Sequence, residues 1–338
     1  MIIKRKENWG FLEYDTQKHI FKVEQKRMLD EEPYVLDPIV LNVDVTFRCN
    51  MKCLHCVAMD LAAQLGGAEG SDLKLSTDLV EKINESPFMV VVITGGEPLL
   101  KDCEEILGKL IQGMENKGII VDTNASIFPS KHILKLFRKK NVMLRVSWDI
   151  PHPGREYELR RYPDGMFSSK EDYIKSKEDF IKNMVGNDIM VGIQSVVHGQ
   201  NWNNINFHNF PQKMKQLKVQ RWYLQRFIPS FEKRSDKKYF LDIETYETTI
   251  PKIKKKANLM GVNCFVKMDR RHNSVFLLVK DGQLYTQSDS SPGEKVFLGK
   301  LGDKYYFDYV SSSEHSVRYY DLKKNLEYDI KHSDTDNC

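Results

Sequence analysis

Between residues 39 and 227 the chain alternates short, fully apolar runs with longer amphipathic stretches. The apolar runs predict strands at 39–47, 88–94, 118–122, 142–149, 188–197 and 219–227. Residues 88–94 read Phe-Met-Val-Val-Val-Ile-Thr, a continuous run suited to a parallel strand covered on both faces. The stretches between predict helices at 76–83, 102–116, 131–140, 170–184 and 203–217. In the second of these, Ile106, Leu110, Ile111 and Met114 fall at helical spacing. Ser76 or Thr77 suits the first helix as its cap, and Pro211 is expected to break or kink the last. Six strand–helix alternations predict a parallel sheet with right-handed crossovers. They are too few for a standard closed eight-fold barrel.

Both ends depart from this pattern. Residues 9–24 predict two short strands around a polar turn, Asp15–Lys18. Such a hairpin either covers one end of the main domain or offers an edge to an extended peptide. The ~35 residues before Pro38 are too few for a full peptide-recognition domain. Beyond Pro229 a basic helix is expected at 242–260, interrupted by Pro251. Strands follow at 263–268, 274–280 and 283–287, with a turn at Asp281-Gly282, and residues 293–301 continue in that style. The chain thus divides into an extension (1–37), a main domain (38–229) and a C-terminal domain (230–338).

Composition narrows the classes. The net charge, 51 − 47 = +4, does not demand nucleic acid, though it permits an anionic partner. The run Lys252, Lys254, Lys255 and Lys256 reads as a solvated helix face or as a contact for an acidic peptide or RNA. The first ten residues have no apolar h-region, so a cytoplasmic protein is expected. No apolar run is long enough to span a bilayer, so no membrane partner is expected. The Gly- and Ala-rich stretch 61–72 reads as a mobile loop.

Six cysteines in a chain of this length do not make a disulfide scaffold, and clustered ones point to metal or catalysis. Cys49, Cys53 and Cys56 lie in Cys-Asn-Met-Lys-Cys-Leu-His-Cys. Three thiolates this close can close on one face of a [4Fe–4S] cube, which normally takes four. One iron is then left for a small molecule. The alternative is zinc, with His55 completing a Cys3His set. Its geometry is awkward, because His55 directly precedes Cys56 whereas zinc sites bring together separated ligand pairs. Gly95-Gly96-Glu97-Pro98 follows the second strand. Its double glycine permits close approach of a ligand, or is a plain strand-to-helix turn.

The C-x3-C-x2-C spacing with GGEP on the next strand resembles the radical SAM superfamily. That resemblance implies an α/β fold, a partial (β/α)6 TIM barrel with its site at the C-terminal strand ends. It implies one [4Fe–4S] cluster and S-adenosylmethionine, whose cleavage yields a 5′-deoxyadenosyl radical that abstracts hydrogen from a substrate. In this reading Cys49, Cys53 and Cys56 are the cluster ligands and His55 lies near the adenine. Gly95, Gly96 and Glu97 meet the amino group. Asn124 belongs to a TN segment, Ser147 and Asp149 to an S-x-D strand end near ribose and carboxylate, and Gln194 reaches the ribose. Of Arg160-Arg161, Arg161 is taken as the carboxylate partner. Away from the cysteines, a solvated cap or turn is the alternative at each position.

Residues 274–287 resemble the hairpin of SPASM or twitch domains in peptide-modifying relatives. The remaining cysteines, Cys103, Cys264 and Cys338, are scattered, and Thr286 and Gln287 stand where relatives often have cysteine. The resemblance therefore implies a small α+β cap of that shape without an auxiliary cluster. Cys264 reads as apolar filler or as a hydrogen donor to a substrate radical. The expected substrate is a peptide or protein, with a flavodoxin or ferredoxin as electron donor. A small molecule or RNA is the alternative substrate, and a zinc-stabilised nucleic-acid-binding protein the alternative class.

Overall fold

The computed structural model describes residues 1–7, 10–25, 34–35, 39–56, 72–227, 239–267, 275–279, 282–287, 295–302 and 317–318. The predicted loop at 61–71 and the terminal Cys338 lie outside them. The chain opens with β1 (Ile2–Glu7), β2 (Gly10–Asp15), β3 (Ile20–Gln25) and β4 (Tyr34–Val35). The alternating region follows as β5 (Val40–Thr46), α1 (Thr77–Glu85), β6 (Val90–Gly95), α2 (Glu104–Gly113), β7 (Gly118–Thr123), α3 (Lys131–Lys139) and β8 (Met143–Ser147). It continues through α4 (Pro153–Leu159), α5 (Lys170–Gly186), β9 (Met190–Val197), α6 (Ile205–His208), α7 (Phe210–Gln216) and β10 (Arg221–Arg226). The chain then forms α8 (Ile243–Leu259), β11 (Asn263–Lys267), β12 (Val275–Val279), β13 (Gln283–Gln287), β14 (Lys295–Lys300) and β15 (Val317–Arg318).

Local chemistry sets the breaks. The Ser76 hydroxyl accepts from Leu79 N at 3.1 Å and caps α1. Pro211 falls in the first turn of α7, where no N–H is needed, so the stretch splits at Asn209. Pro251, expected to interrupt the basic helix, is instead inside α8. That helix buries Tyr246, Ile250, Ile253 and Ala257, and this packing outweighs the lost hydrogen bond. Lys252 and Lys255 are exposed on its outer side. Among the described residues no helix is long and apolar enough to cross a membrane.

Ten strands form one sheet in the order β11-β10-β9-β8-β7-β6-β5-β12-β13-β14. From β11 to β12 every neighbouring pair is parallel. This is the sheet of a partial TIM barrel, as expected, but it holds more than six parallel strands. The α8–β11 unit continues the alternation past residue 229, and β12 adds beside β5. The expected boundary at 229/230 therefore falls inside a continuous sheet. The β12–β13 hairpin forms as read from the sequence.

Side chains alternate between two faces. Val91, Ile93, Val121 and Leu144 pack with helix residues such as Leu107, Leu110 and Phe137. Their neighbours Val90, Val92, Ile120, Met143 and Tyr223 face away from the helices and pack on Leu12, Tyr14 and Phe21 of the N-terminal sheet. That sheet has three strands, not two, and covers the starts of the barrel strands. Arg221 Nη1 donates to His19 O at 2.8 Å. The His19 ring bridges Asn141 O at 2.7 Å and Tyr14 OH at 2.8 Å. Asn141 O can only accept, so His19 Nε2 carries the proton and Nδ1 accepts from the phenol.

Burial lowers the His19 pKa to about 4. An unfolded histidine titrates near 6.5, so the neutral ring's contribution is intact above that pH and is lost as pH falls towards 4. The loss reaches up to about 3 kcal/mol. Melting curves of wild type and His19→Gln are expected to differ most at pH 7.5 and to converge by about pH 4. A constant difference across that range contradicts this assignment.

Candidate functional site

The cysteine loop leaves the end of β5 and is stapled by three later segments. Gly96 N donates to Thr46 O at 2.6 Å, and Glu97 N donates to Arg48 O at 2.9 Å. Asn50 Nδ2 donates to Ser126 Oγ at 2.8 Å, while Asn124 Nδ2 donates to Asn50 Oδ1 at 2.9 Å and approaches Cys49 Sγ at 3.8 Å. Lys52 N donates to Arg161 O at 2.7 Å and Leu54 N to Leu159 O at 2.9 Å. Arg48 closes the base, pairing with Asp72 at 2.6 Å and with Asp102. Neither Arg48 nor Asn50 was singled out in the sequence. The signal was their place beside Cys49.

The double glycine serves this stapling. Gly95 has φ +122, and a β-carbon there would run into the Thr46 carbonyl. At Gly96 it would overlap the Arg48 carbonyl. The close approach is thus first of all backbone on backbone. Glu97 is fully buried. Its Oε1 accepts from Leu99 N at 3.0 Å and Thr123 Oγ1 at 2.8 Å, and its Oε2 from Asn124 N at 2.7 Å. Burial raises its pKa to about 7, against the pull of these three donors. Glu97 thereby ties the ends of β6 and β7 together.

A buried ionic group stands behind the loop. Asp149, just past β8, pairs with Arg160 at 2.7 and 3.0 Å, and its Oδ1 accepts from Val196 N at 2.7 Å. Although burial opposes its charge, Arg160 and His55 hold the Asp149 pKa at about 2. His55 Nε2 lies 3.5 Å from Asp149 Oδ2, and burial lowers its pKa to about 3. Arg161, the expected carboxylate partner, is exposed and contributes only its carbonyl. Arg160 is the buried one, because α4 ends there and turns it inward.

The remaining predicted positions divide between the faces. Ser147 ends β8 and pairs in register with Gln194 inside β9; both are half-buried, and Gln194 O accepts from Trp148 N at 2.9 Å. Alternation puts them on the face away from the helices with Asp122 and Arg145, an ion pair at 2.6 and 2.7 Å. Cys264 pairs in register with Trp222 and packs in the helix-facing layer. This placement of the thiol, buried on the helix side of the sheet, favours the apolar-filler reading of Cys264 over the hydrogen-donor one. The side chains of Thr286 and Gln287 lie outside the described residues.

Cys49, Cys53 and Cys56 form no disulfide and are half-buried in the loop after β5. Burial raises Cys49 to about 11 and Cys53 to about 12, so both are thiols until a metal displaces the proton. Among the described residues no three His, Cys, Asp or Glu side chains gather for a single ion. His55 turns to Asp149 instead of completing a tetrahedron. The donor set is therefore three thiols of one loop, which fits a cluster with one iron left open better than Cys3His zinc.

No family model matches the chain. A GTP 3′,8-cyclase of Pelotomaculum thermopropionicum is 26% identical over 133 residues, 39% of this chain and 40% of that protein. The match thus spans about two fifths of that relative's length. Streptococcus suis SuiB bound to precursor peptide SuiA superposes with a TM-score of 0.65 at 11% identity, covering 92% of this chain and 87% of that one. Native anSMEcpe with bound AdoMet and Cp18Cys peptide gives 0.61 at 16% identity, covering 89% and 86%. At these identities the structures share the fold.

Gly96→Ala tests the stapling. The variant is expected to lose about 1–3 kcal/mol of stability and to load iron poorly, because the Arg48 backbone must move. Wild-type melting and wild-type iron content in that variant would contradict it.

Proposed function

We propose that this chain, a member of the radical SAM superfamily as the relatives above are, is an enzyme that modifies a peptide or protein with one [4Fe–4S] cluster and S-adenosylmethionine. The observation that carries it is the three-thiol loop held over the C-terminal ends of successive parallel strands. When bound, the cluster and S-adenosylmethionine supply a 5′-deoxyadenosyl radical that takes a hydrogen atom from the substrate.

The chain's own residues hold, orient and shield. Cys49, Cys53 and Cys56 would ligate three irons, with the Asn124 amide beside Cys49 Sγ. Arg160, held by Asp149, would offer its guanidinium to the S-adenosylmethionine carboxylate. His55 Nδ1 is buried without a hydrogen-bond partner in the protein, and it would meet a polar group of the same cofactor. Gly95 and Gly96 keep the loop close, and Glu97 fixes Asn124. Ser147 and Gln194 stand on the sheet face away from the helices. An electron donor of the flavodoxin or ferredoxin kind would reduce the cluster.

The peptide reading draws on the half-buried polar side chains of Thr94, Asp122, Ser147, Gln194 and Gln225 on the sheet face away from the helices. It is supported too by the peptides seen in two proteins of this fold. The local sequence likeness to a GTP 3′,8-cyclase favours a second reading, a nucleotide substrate.

Reduced, reconstituted enzyme with S-adenosylmethionine separates them. A short peptide encoded beside the gene is expected to stimulate 5′-deoxyadenosine formation and to change in mass. Turnover of GTP with no effect of peptide would overturn the peptide reading. In the same assay Cys264→Ser is expected to retain product formation within about twofold, since the buried side chain faces the helix-side core and the added hydroxyl costs stability without touching the cysteine loop. Loss of product with S-adenosylmethionine cleavage intact would restore Cys264 as a hydrogen donor.

A further inference from the structure

The buried face of α5 is Tyr173, Ile174, Lys177, Phe180, Ile181 and Met184. Lys177 occupies a position where such a face normally places an apolar residue. Its side chain is 1% exposed. The ammonium donates to Ser147 O at 2.9 Å, Glu156 Oε1 at 2.8 Å and Tyr173 OH at 2.8 Å, which uses all three of its donors.

Its partner Glu156 is also fully buried and faces two ways. Oε2 accepts from Asp149 N and Ile150 N, each at 3.0 Å, and so fixes the backbone on which Asp149 sits. Oε1 faces Lys177 and lies 3.7 Å from Arg160 Nε. Arg160 thus stands between two carboxylates, with Asp149 the nearer at 2.7 Å. Without the lysine, Glu156 would be a buried carboxylate whose nearest cation is Arg160. A buried charge left unpaired is costly, and turning Arg160 to Glu156 relieves it.

We propose that Lys177 is a positioning residue that neutralises Glu156, so that Arg160 stays paired with Asp149 beside the cysteine loop and keeps its guanidinium available to the carboxylate of S-adenosylmethionine. This rests on the function proposed above. Lys177 touches no thiol; it acts on Arg160 through Glu156, and its bond to Ser147 O holds the end of β8.

The test is equilibrium binding of S-adenosylmethionine to anaerobically reconstituted enzyme, read also as the change it causes in the electron paramagnetic resonance spectrum of the reduced cluster. Lys177→Met is expected to keep its iron, to bind about tenfold or more weakly, and to lose most of the spectral change. Glu156→Gln alone would leave the Lys177 ammonium buried without a counter-charge and turn an amide N–H towards it, so the carboxylate is removed together with the lysine. Lys177→Met/Glu156→Gln keeps an acceptor for the two backbone N–H groups, removes the competing charge and is expected to bind within about threefold of wild type. A merely structural network would penalise the double variant most. Wild-type binding by Lys177→Met, or a tenfold loss in the double variant, overturns the proposal. If Lys177→Met does not fold, the double variant decides alone. Failure of the wild type itself to bind overturns the function reading, and this one with it.

Discussion

The site depends on a backbone-to-backbone contact. Thr46, Phe47 and Arg48 leave β5 so close to Gly95, Gly96 and Glu97 that two hydrogen bonds form and no β-carbon fits at either glycine. Everything that follows is placed by this contact. It sets where the cysteine loop starts, and the loop's later turns are then pinned by Asn124, Leu159 and Arg161. The ends of β5, β6 and β7 and the end of α4, distant in sequence, thereby converge on residues 48–56. Thiols far from their ordinary range are held where a metal can take them in exchange for protons.

The two faces of the sheet divide the work. The helix-facing layer is a large apolar core and supplies most of the hydrophobic stabilisation. The other face is apolar only at the strand starts, where Leu12, Tyr14 and Phe21 cover it. Towards the strand ends it turns polar and half-exposed, as Asp122, Ser147 and Gln194 show. The N-terminal sheet therefore packs at the end opposite the cysteines. This fits the role of a cover for the barrel better than that of a peptide edge beside the site.

Much of the architecture is legible in the sequence, because buried parallel strands declare themselves by continuous apolar runs such as Phe88–Thr94. The cysteine octet and the double glycine are legible for the same kind of reason, since few other chemistries need those residues at that spacing. Three features are not. The strands β11 and β12 are legible, but their joining of the parallel sheet beside β10 and β5 is hidden, because a strand's own pattern does not name its partner. The choice between Arg160 and Arg161 turns on where α4 ends, and helix ends are the least readable part of a periodic signal. Cys264 looked available in the sequence, but strand alternation in register with Trp222 decides its face. Lys177 becomes meaningful only once Glu156 and Arg160 are placed around it.

The central claim is that Cys49, Cys53 and Cys56 hold an iron–sulfur cluster with one iron left to bind a cofactor. Iron, sulfide and zinc per chain, measured after strictly anaerobic purification and reconstitution, test it most directly. About four irons and about four sulfides are expected, with both lost in the Cys49/Cys53/Cys56→Ala variant. Stoichiometric zinc with no iron, or iron retained in that variant, would contradict the account.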